Sequence, residues 1–280
     1  MKQAILITAY KNAQQLANLI SYFDEHYEIY IHIDKKSTMD INRLSSAKNV
    51  HIYQKHIVNW GSFNHLKAIL FLVSEALKDP SIHFFHLISG QDFPVKPLDY
   101  FAKLDQSKDY LDYKEISQDW KQHLEYYWFQ DIFDMKKLKS IVMFVFKLQK
   151  NLRIKRTFPK DFPPLYIGST WWSLTRNTLQ NVMDYTENNP RILNRMKYTF
   201  CAEEVYFQTL ILNFNLSNHI INDALRYMQW TDNASSPLFI QPVMFSEVIA
   251  SNKLFARKLT EEGAEELKLL LLYPKNNLSL

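Results

Sequence analysis

The sequence predicts an α/β fold in which helices flank a mostly parallel central sheet. Apolar runs of strand length alternate with segments of helical spacing over the first hundred residues. Hydrophobic residues make up 47% of the 280-residue chain, which is enough to bury a sizeable core. Only 4 glycines occur, and neither a repeat nor a flexible linker interrupts the pattern. We therefore expect one domain over residues 1–280, with halves of about 1–110 and about 111–280.

The first half contains predicted strands that lead into polar turns. The strands are short apolar runs at residues 4–8, 28–33, 50–53 and 83–88. Helical spacing is found over 63–77 and on a face formed by Leu16, Leu19, Ile20 and Phe23. In a parallel sheet, ligands bind beyond the carboxyl ends of the strands. Thr8, Asp34 and the turn at 89–94 fall there, so we expect this half to bind a nucleotide.

The second half contains a predicted basic amphipathic helix over residues 135–157, ended by prolines at 159, 163 and 164. Lysines and arginines surround an apolar stripe of Leu138, Ile141, Val145, Leu148 and Leu152. Two interpretations are open: a solvated face above a stripe that packs on the core, or contact with an anionic membrane surface. Further on, we expect a strand at 166–167 and helices that begin near 177 and 202.

Composition narrows the class of protein. The net charge is +4 and the sequence pI is about 8.8, which suits an anionic small molecule or membrane surface. The excess of positive charge is too small and too evenly spread to indicate nucleic-acid binding. Cys201 is the only cysteine, so no intrachain disulfide is possible. No signal-peptide pattern and no run of roughly 20 apolar residues is found. We expect a cytoplasmic protein, with the membrane's inner face as the alternative location.

The sequence predicts no metal site. A hard cation bound after a strand is usually held by closely spaced carboxylates, and the chain contains no Asp-x-Asp. Asp34 is followed instead by Lys35 and Lys36, which cannot bind a cation but can lie near phosphate. His83 and His86 are three apart in a predicted strand and point to opposite faces.

Seven short motifs follow one another along the chain and together carry a family resemblance. They are Ile-His-Ile-Asp-Lys-Lys at 31–36, Trp-Gly at 60–61, Leu-Ile-Ser-Gly-Gln-Asp-Phe-Pro-Val-Lys at 87–96, Gly-Ser-x-Trp-Trp-x-Leu-x-Arg at 168–176, Ala-Glu-Glu-x-x-Phe-x-Thr-Leu at 202–210, Leu-Arg-Tyr-x-x-Trp at 225–230 and Leu-Phe-Ala-Arg-Lys at 254–258. In this order they resemble glycosyltransferase family 14. That family contains the core-2/I-branching β-1,6-N-acetylglucosaminyltransferases and the peptide O-xylosyltransferases.

The resemblance implies a GT-A-like fold, a UDP-sugar donor, inversion at the anomeric carbon and no metal or other cofactor. By position, Glu204 matches the catalytic base and Asp34 a residue that contacts the nucleoside. Trp230 matches an aromatic residue of the acceptor site, and Lys258 a basic residue that pairs with the diphosphate. N-acetylglucosamine is the favoured sugar. Xylose is the alternative, because residues 235–237 and 255–258 are closer to the xylosyltransferase branch.

The remaining candidate residues extend this assignment. Thr8, Lys35 and Arg257 are expected on the donor side with Asp34 and Lys258. Asp92 and Glu115 are expected on the acceptor side with Trp230. The branching enzymes have an arginine 23 residues before the diphosphate lysine, where this chain has Ser235. Arg257, Arg226 and Lys35 are the candidates to replace it.

The chemistry requires these residue types independently of the resemblance. An inverting transfer is a single displacement in which an acceptor hydroxyl attacks the anomeric carbon as UDP leaves. A sugar hydroxyl is a poor nucleophile, so a carboxylate has to accept its proton as the bond forms. Without a metal, lysine or arginine must stabilise the charge on the leaving diphosphate. Lys258 with Arg257 is the best candidate pair.

Structural explanations exist for the same residues. Glu203 and Glu204 are expected to begin a helix, where its dipole alone favours acidic side chains. Asp34 is suited to cap the turn after its strand, and Asp92 to brace its own turn. Trp230 is suited to core packing. Lys258 and Arg257 are suited to a solvated helix face.

Two other classes of function compete with a transferase. A glycoside hydrolase needs two carboxylates that flank one bond, whereas Glu203 and Glu204 are adjacent on a helix and about 100° apart. A non-catalytic carbohydrate-binding protein on a transferase fold predicts that Glu204→Gln changes nothing measurable. The expected partners are a UDP-sugar, a glycan or lipid-linked glycan acceptor, and the membrane through 135–157, with no nucleic acid. We expect a bacterial-type polysaccharide pathway.

Overall fold

The computed structural model describes residues 2–44, 48–159, 162–214, 219–232, 234 and 236–273. Within them the strands are β1 (Lys2–Ala9), β2 (Tyr27–Ile33), β3 (Val50–Tyr53), β4 (Ile82–Ser89), β5 (Asp92–Pro94), β6 (Asp109–Leu111), β7 (Lys114–Glu115), β8 (Tyr166–Ile167), β9 (Trp172–Thr175), β10 (Ile220–Ile221), β11 (Arg226–Met228) and β12 (Phe255–Arg257). The helices are α1 (Ala13–Ile20), α2 (Phe63–Leu77), α3 (Leu98–Lys103), α4 (Gln118–Glu125), α5 (Met135–Asn151), α6 (Arg176–Asn188), α7 (Pro190–Met196), α8 (Glu203–Asn213), α9 (Phe245–Ala250) and α10 (Glu261–Leu272).

The central sheet has seven strands in the order β10-β6-β9-β4-β1-β2-β3. The pairs β1–β2, β1–β4, β2–β3 and β6–β10 are parallel, whereas β9 runs antiparallel to both of its neighbours. This architecture confirms the predicted mostly parallel α/β fold. The carboxyl ends of β1, β2 and β4 lie side by side, which brings the turns that follow them to one edge of the sheet.

Both faces of the sheet are buried, which explains why its strands are continuous apolar runs. Successive side chains of a strand point to opposite faces. Ile5 and Ile7 of β1 accordingly pack in a cluster with residues of α1, α9 and α10. Leu6 instead packs with residues of α2, α6 and α8 on the other face. The helices therefore form two layers, and no helix within the described ranges is long and apolar enough to cross a membrane.

The basic helix differs from its prediction in length and in orientation. α5 ends at Asn151 rather than at 157, and Arg153 takes a positive φ of 55° that turns the chain away. The helix packs on the protein through Val142, Phe146 and Gln149. The predicted apolar stripe therefore does not face the core. Its members Leu138, Ile141, Leu148 and Leu152 are 38%, 45%, 45% and 60% exposed.

A small second sheet holds the end of the chain against the central sheet. β12 pairs in parallel with β11 and antiparallel with β5, in the order β11-β12-β5. Arg257 lies directly opposite Asp92 in this register. β5 follows the turn after β4, so the pairing brings Arg257 and Lys258 to the edge where β1, β2 and β4 end.

Candidate active site

A cleft of about 1100 Å³ opens at the carboxyl ends of β1, β2 and β4. It is lined from both halves of the chain, including the turn after β4, the start of α8 and the residues after β12. Six of the candidate residues line it together: Thr8, Asp34, Glu204, Trp230, Arg257 and Lys258. Lys35, Asp92 and Glu115 do not belong to the lining.

Glu204 is the second residue of α8 and is partly buried at the cleft. The positive end of the helix dipole favours a carboxylate at this position. The Gly168 N–H donates to the Glu204 carbonyl oxygen at 2.9 Å and ties the helix start to the loop after β8. A Cβ at Gly168 would lie 1.7 Å from the Asp112 carbonyl oxygen, so this close approach requires glycine.

Glu203 precedes Glu204 and is directed at a different partner. Its Oε1 lies 3.0 Å from His65 Nδ1, and its Oε2 is buried with no hydrogen-bond partner among the described residues. His65 belongs to α2 and packs edge-on against Trp171. The loop before α8 is fixed by Cys201, whose N–H donates to the Gly61 carbonyl at 3.0 Å. Glu203 is therefore held in place, whereas the Glu204 carboxylate makes no hydrogen bond within the described residues.

The environment of Glu204 favours its protonated form. Burial, together with the neighbouring Glu203 charge, raises the pKa of Glu204 to about 8, and the positive charge of Lys114 opposes the rise. Burial removes water that would stabilise the ionised Glu204 carboxylate, and the negative charge of Glu203 repels that carboxylate. A carboxylate whose pKa lies near the working pH is a stronger proton acceptor than an ordinary surface glutamate. The site thus contains a candidate general base.

Four cations of the lining lie near one another: Lys11, Lys136, Arg257 and Lys258. Burial lowers the pKa of Lys258, and the positive charges of Arg257, Lys11 and Lys136 lower it further. Lys258 Nζ donates to Ser236 Oγ at 3.2 Å, and no described carboxylate lies within 4.0 Å of it. Several positive charges gathered in one cleft indicate a site for a multiply charged anion.

Arg257 is oriented by Asp92. Its Nη1 donates to Asp92 Oδ1 at 2.7 Å and to Ser89 Oγ, and its guanidinium lies 4.4 Å from the centre of the Trp171 ring. Asp92 has no exposed surface and also accepts from the Ser89 N–H at 2.7 Å. The structure therefore places Asp92 behind the lining, as a brace for the turn and for Arg257. This position corrects its predicted contact with the acceptor.

Asp34 lies at the end of β2 with 3% of its surface exposed. Its Oδ1 accepts from the backbone N–H groups of Lys36 and Val58, each at 3.1 Å, which ties two loops together. Lys36 Nζ donates to the Asn59 side chain and lies 3.7 Å from Asp34 Oδ2. Lys36 lines the cleft, whereas Lys35 is exposed outside it. The lysine that reaches the cleft after β2 is therefore Lys36, and not the predicted Lys35.

Exposed aromatic side chains lie on the same lining. Trp230 and Trp60 are 53% and 39% exposed, which is unusual for large apolar side chains outside a binding surface. Trp230 is therefore not a core residue. Glu115 is exposed in β7, but the cleft is lined by its neighbour Lys114, because successive residues of a strand point to opposite sides. The acceptor contact predicted for Glu115 is not supported by this position.

Arg226 cannot replace the missing arginine. It is buried beneath the cleft, with Nη2 donating to the carbonyl oxygens of Leu87 and Trp172 at 2.8 and 2.7 Å and Nη1 to Ser173 Oγ at 2.7 Å. Its guanidinium therefore stabilises the sheet junction. Of the three candidates, Arg257 remains in the lining, and Ser235 itself lies outside the described residues.

One group of side chains in the described ranges has the composition of a metal site: Cys201, Glu203 and Glu204, whose ligand atoms lie within 4.8 Å of one another. Burial, with the negative charges of Glu204 and Glu203, raises the pKa of the Cys201 thiol well above its usual range. A protonated thiol is a poor ligand, and a mixed thiol–carboxylate set does not suit Mg²⁺ or Mn²⁺. The donor set therefore fits the hard cations of sugar-nucleotide chemistry poorly.

Several lining residues were not predicted from the sequence, namely Lys11, His65, Lys114 and Lys136. Lys11 stands just after the carboxyl end of β1, and the general rule for parallel sheets points to that position. No sequence pattern predicts Lys136 at the cleft, because only the tertiary fold brings the start of α5 there.

A mostly parallel sheet, with a helix-start carboxylate and several cations in one cleft at its carboxyl edge, fits the GT-A-like class of glycosyltransferase folds. The sequence model of the Core-2/I-branching enzyme family matches residues 4–252, and the chain belongs to this family, glycosyltransferase family 14. It is also similar to beta-glucuronosyltransferase GlcAT14C of Arabidopsis thaliana, with 32% identity over 111 residues. That alignment covers 39% of this chain and 28% of the plant protein.

Proposed function

We propose that the protein is an inverting glycosyltransferase that moves a sugar from a UDP-sugar to a glycan hydroxyl in β linkage without a metal ion. The observation that carries this proposal is that Glu204 and the cations around Lys258 line the same cleft. The reaction needs a proton acceptor on the side of the attacking hydroxyl and positive charge on the side of the leaving diphosphate. The cleft supplies both from this chain's own residues.

Glu204 is the proposed general base. The acceptor hydroxyl forms a bond to the anomeric carbon as the bond from that carbon to the UDP oxygen breaks, and Glu204 takes the hydroxyl proton. The raised pKa of Glu204, about 8, increases its basicity once it is ionised. The positive charge of Lys114 stabilises the ionised form of Glu204.

Lys258 and Arg257 are the proposed partners of the leaving diphosphate, with Lys11 and Lys136 nearby. Asp92 holds Arg257 in a fixed orientation before the donor binds, so little reorganisation is needed as charge develops. Thr8 and Asp34 occupy the donor side of the same lining, and Trp230 is the proposed platform for the acceptor sugar.

The donor sugar is the open choice within this proposal. N-acetylglucosamine follows from the family resemblance, and xylose from the sequence motifs at 235–237 and 255–258. The name of the plant relative adds glucuronic acid as a third donor. A carboxylated sugar would gain from Lys114 or another cation on the lining, whereas the neutral sugars would not.

The test measures UDP release with each of the three UDP-sugars, with and without a glycan acceptor, in the presence of EDTA. The proposal predicts that one donor gives UDP release that depends on the acceptor and is unchanged by EDTA. An absolute requirement for Mn²⁺ contradicts the metal-free mechanism. Release of free sugar from a glycan in the absence of UDP-sugar indicates a glycoside hydrolase instead.

A further inference from the structure

The outward side of α5 is apolar. Four residues form it, and we refer to them as the outer face: Ile141, Phe144, Leu148 and Leu152, which are 45%, 66%, 45% and 60% exposed. At about 100° per residue they fall within an arc of about 80°. Contiguous apolar side chains of this size in contact with water mark a surface that binds something.

The orientation of α5 is fixed, so this exposure is a property of the fold. The buried residues Val142 and Phe146 pack in the cluster that contains Trp128. Gln149 accepts from the Tyr127 N–H at 2.8 Å and donates to the Tyr127 carbonyl at 3.0 Å. These contacts clamp one side of the helix to the protein. The outer face is centred on the other side and cannot rotate inward without breaking them.

Positive charge flanks the outer face. α5 contains five lysines and no acidic residue. On the helical wheel Lys147 falls about 60° from Phe144 at the edge of the outer face, and Lys139 and Lys150 fall farther round, between Lys147 and the buried side of the helix. None of these three forms an ion pair with a carboxylate in the described part of the chain. The helix therefore combines an apolar outer face with unpaired cations on the side between that face and the buried one.

We propose that α5 docks the protein on an anionic lipid surface, with the outer face inserted at the boundary of headgroups and acyl chains. A helix with this arrangement lies in the plane of the interface, because the apolar side chains leave water while lysines reach anionic headgroups. A second copy of the chain fits the face less well, since a symmetric contact would bring the lysines of the two helices together. This docking does not depend on the proposed function.

Docking through α5 places the cleft beside the lipid. Lys136, in the first turn of α5, lines the cleft together with Asp134, the residue that caps the helix. An acceptor glycan carried on a lipid would then enter the cleft from the surface on which the protein rests. This last step rests on the proposed function, whereas the docking itself is tested by binding alone.

The experiment is flotation of the full chain with phosphatidylcholine vesicles that contain or lack phosphatidylglycerol. Binding is expected with the anionic vesicles and is expected to fall by about tenfold or more in K139E/K147E/K150E and in F144S/L148S. The matched controls are K48E/K78E/K103E, which changes the charge equally elsewhere, and V243S, which removes an apolar side chain that is 89% exposed outside α5. Both controls are expected to bind like the wild type.

A second readout locates the contact. Cys201 is buried, so a Phe144→Cys variant can be labelled selectively with an environment-sensitive fluorophore. Its emission is expected to shift to shorter wavelength with anionic vesicles, and a Val243→Cys label is expected not to shift. Far-UV circular dichroism and a cooperative urea transition in every variant show that the protein is folded. Absence of wild-type flotation, equal loss in the controls, or a dimer that F144S/L148S dissociates without any vesicle binding overturns the proposal.

Discussion

His65 Nδ1 lies 3.0 Å from Oε1 of Glu203, so α2 anchors the carboxylate that directly precedes the proposed base in α8. Both side chains are largely buried, with 16% and 4% of their surface exposed. The anchor keeps a negative charge next to Glu204 and holds the Glu203 side chain against His65. Glu203 is in this sense a positioning residue, because it acts through Glu204.

Glu203→Gln is expected to lower the pKa of Glu204, because it removes the negative charge that helps to raise it to about 8. The ionised form of Glu204 is the active one, so kcat/KM rises with pH through this pKa. The rising limb should therefore move to lower pH in the variant. A pH profile of kcat/KM measures it, with Glu115→Gln as the control. A profile that keeps its position while activity falls would assign Glu203 a purely structural role.

Lys114→Met is expected to shift the profile in the opposite direction. The positive charge of Lys114 lowers the pKa of Glu204, so its loss should raise that pKa and move the rising limb of kcat/KM to higher pH. Activity at pH 7 should fall and recover as the pH increases. Lys121→Met, in α4 and outside the lining, is the matched control. If increasing pH gives no recovery, Lys114 acts on the substrate rather than on Glu204.

The sheet and the position of Glu204 could be predicted from the sequence for clear physical reasons. Strands buried on both faces are continuous apolar runs, and β1 to β4 were located from such runs to within about two residues at each end. Glu204 was located by its motif at a helix start, and the structure places it there at the cleft. Trp230 and Lys258 also reach the lining, although their roles remain proposals.

The orientation of α5 and the identity of several cleft residues could not be predicted, because they depend on which side of a helix or strand packs against the rest of the protein. α5 has apolar residues on two sides, and periodicity does not distinguish Val142 and Phe146, which pack, from Phe144 and Leu148, which do not. Adjacent residues present the same difficulty at the end of β2, where Lys36 rather than Lys35 reaches the cleft. The pairing of Asp92 with Arg257 could not be predicted because 165 residues separate the two along the chain.

Lys258→Gln is expected to weaken UDP binding by about tenfold to a hundredfold, the cost of one charge-assisted contact to phosphate. The loss should shrink at high salt, because screening weakens the same attraction in the wild type. Isothermal titration calorimetry with UDP provides the measurement. Lys35→Gln, an equal loss of charge outside the lining, should bind UDP normally. Equal UDP affinities for the wild type and Lys258→Gln would show that the diphosphate does not bind at Lys258.

Asp92→Ala is expected to lower the free energy of unfolding by about 3 kcal/mol or more, because it leaves the Arg257 guanidinium without its buried partner. The Ser89 N–H loses its acceptor at the same time. Urea denaturation measures the change. Asp99→Ala, which removes a carboxylate from the exposed pair with Lys103, should lower the stability far less, because solvent screens an exposed pair. Equal losses in the free energy of unfolding for the two variants would mean that Asp92 does not brace its turn and Arg257.

The central claim is that Glu204 accepts the proton of the attacking hydroxyl, and Glu204→Gln tests it most directly. The amide retains the shape of the side chain but cannot accept that proton. The measurement pairs donor affinity by calorimetry with the rate of acceptor-dependent UDP release. We predict donor affinity within about threefold of the wild type, and a transfer rate lower by about 10²–10⁴-fold, the usual contribution of a general base. Transfer by Glu204→Gln at the wild-type rate would contradict the mechanism.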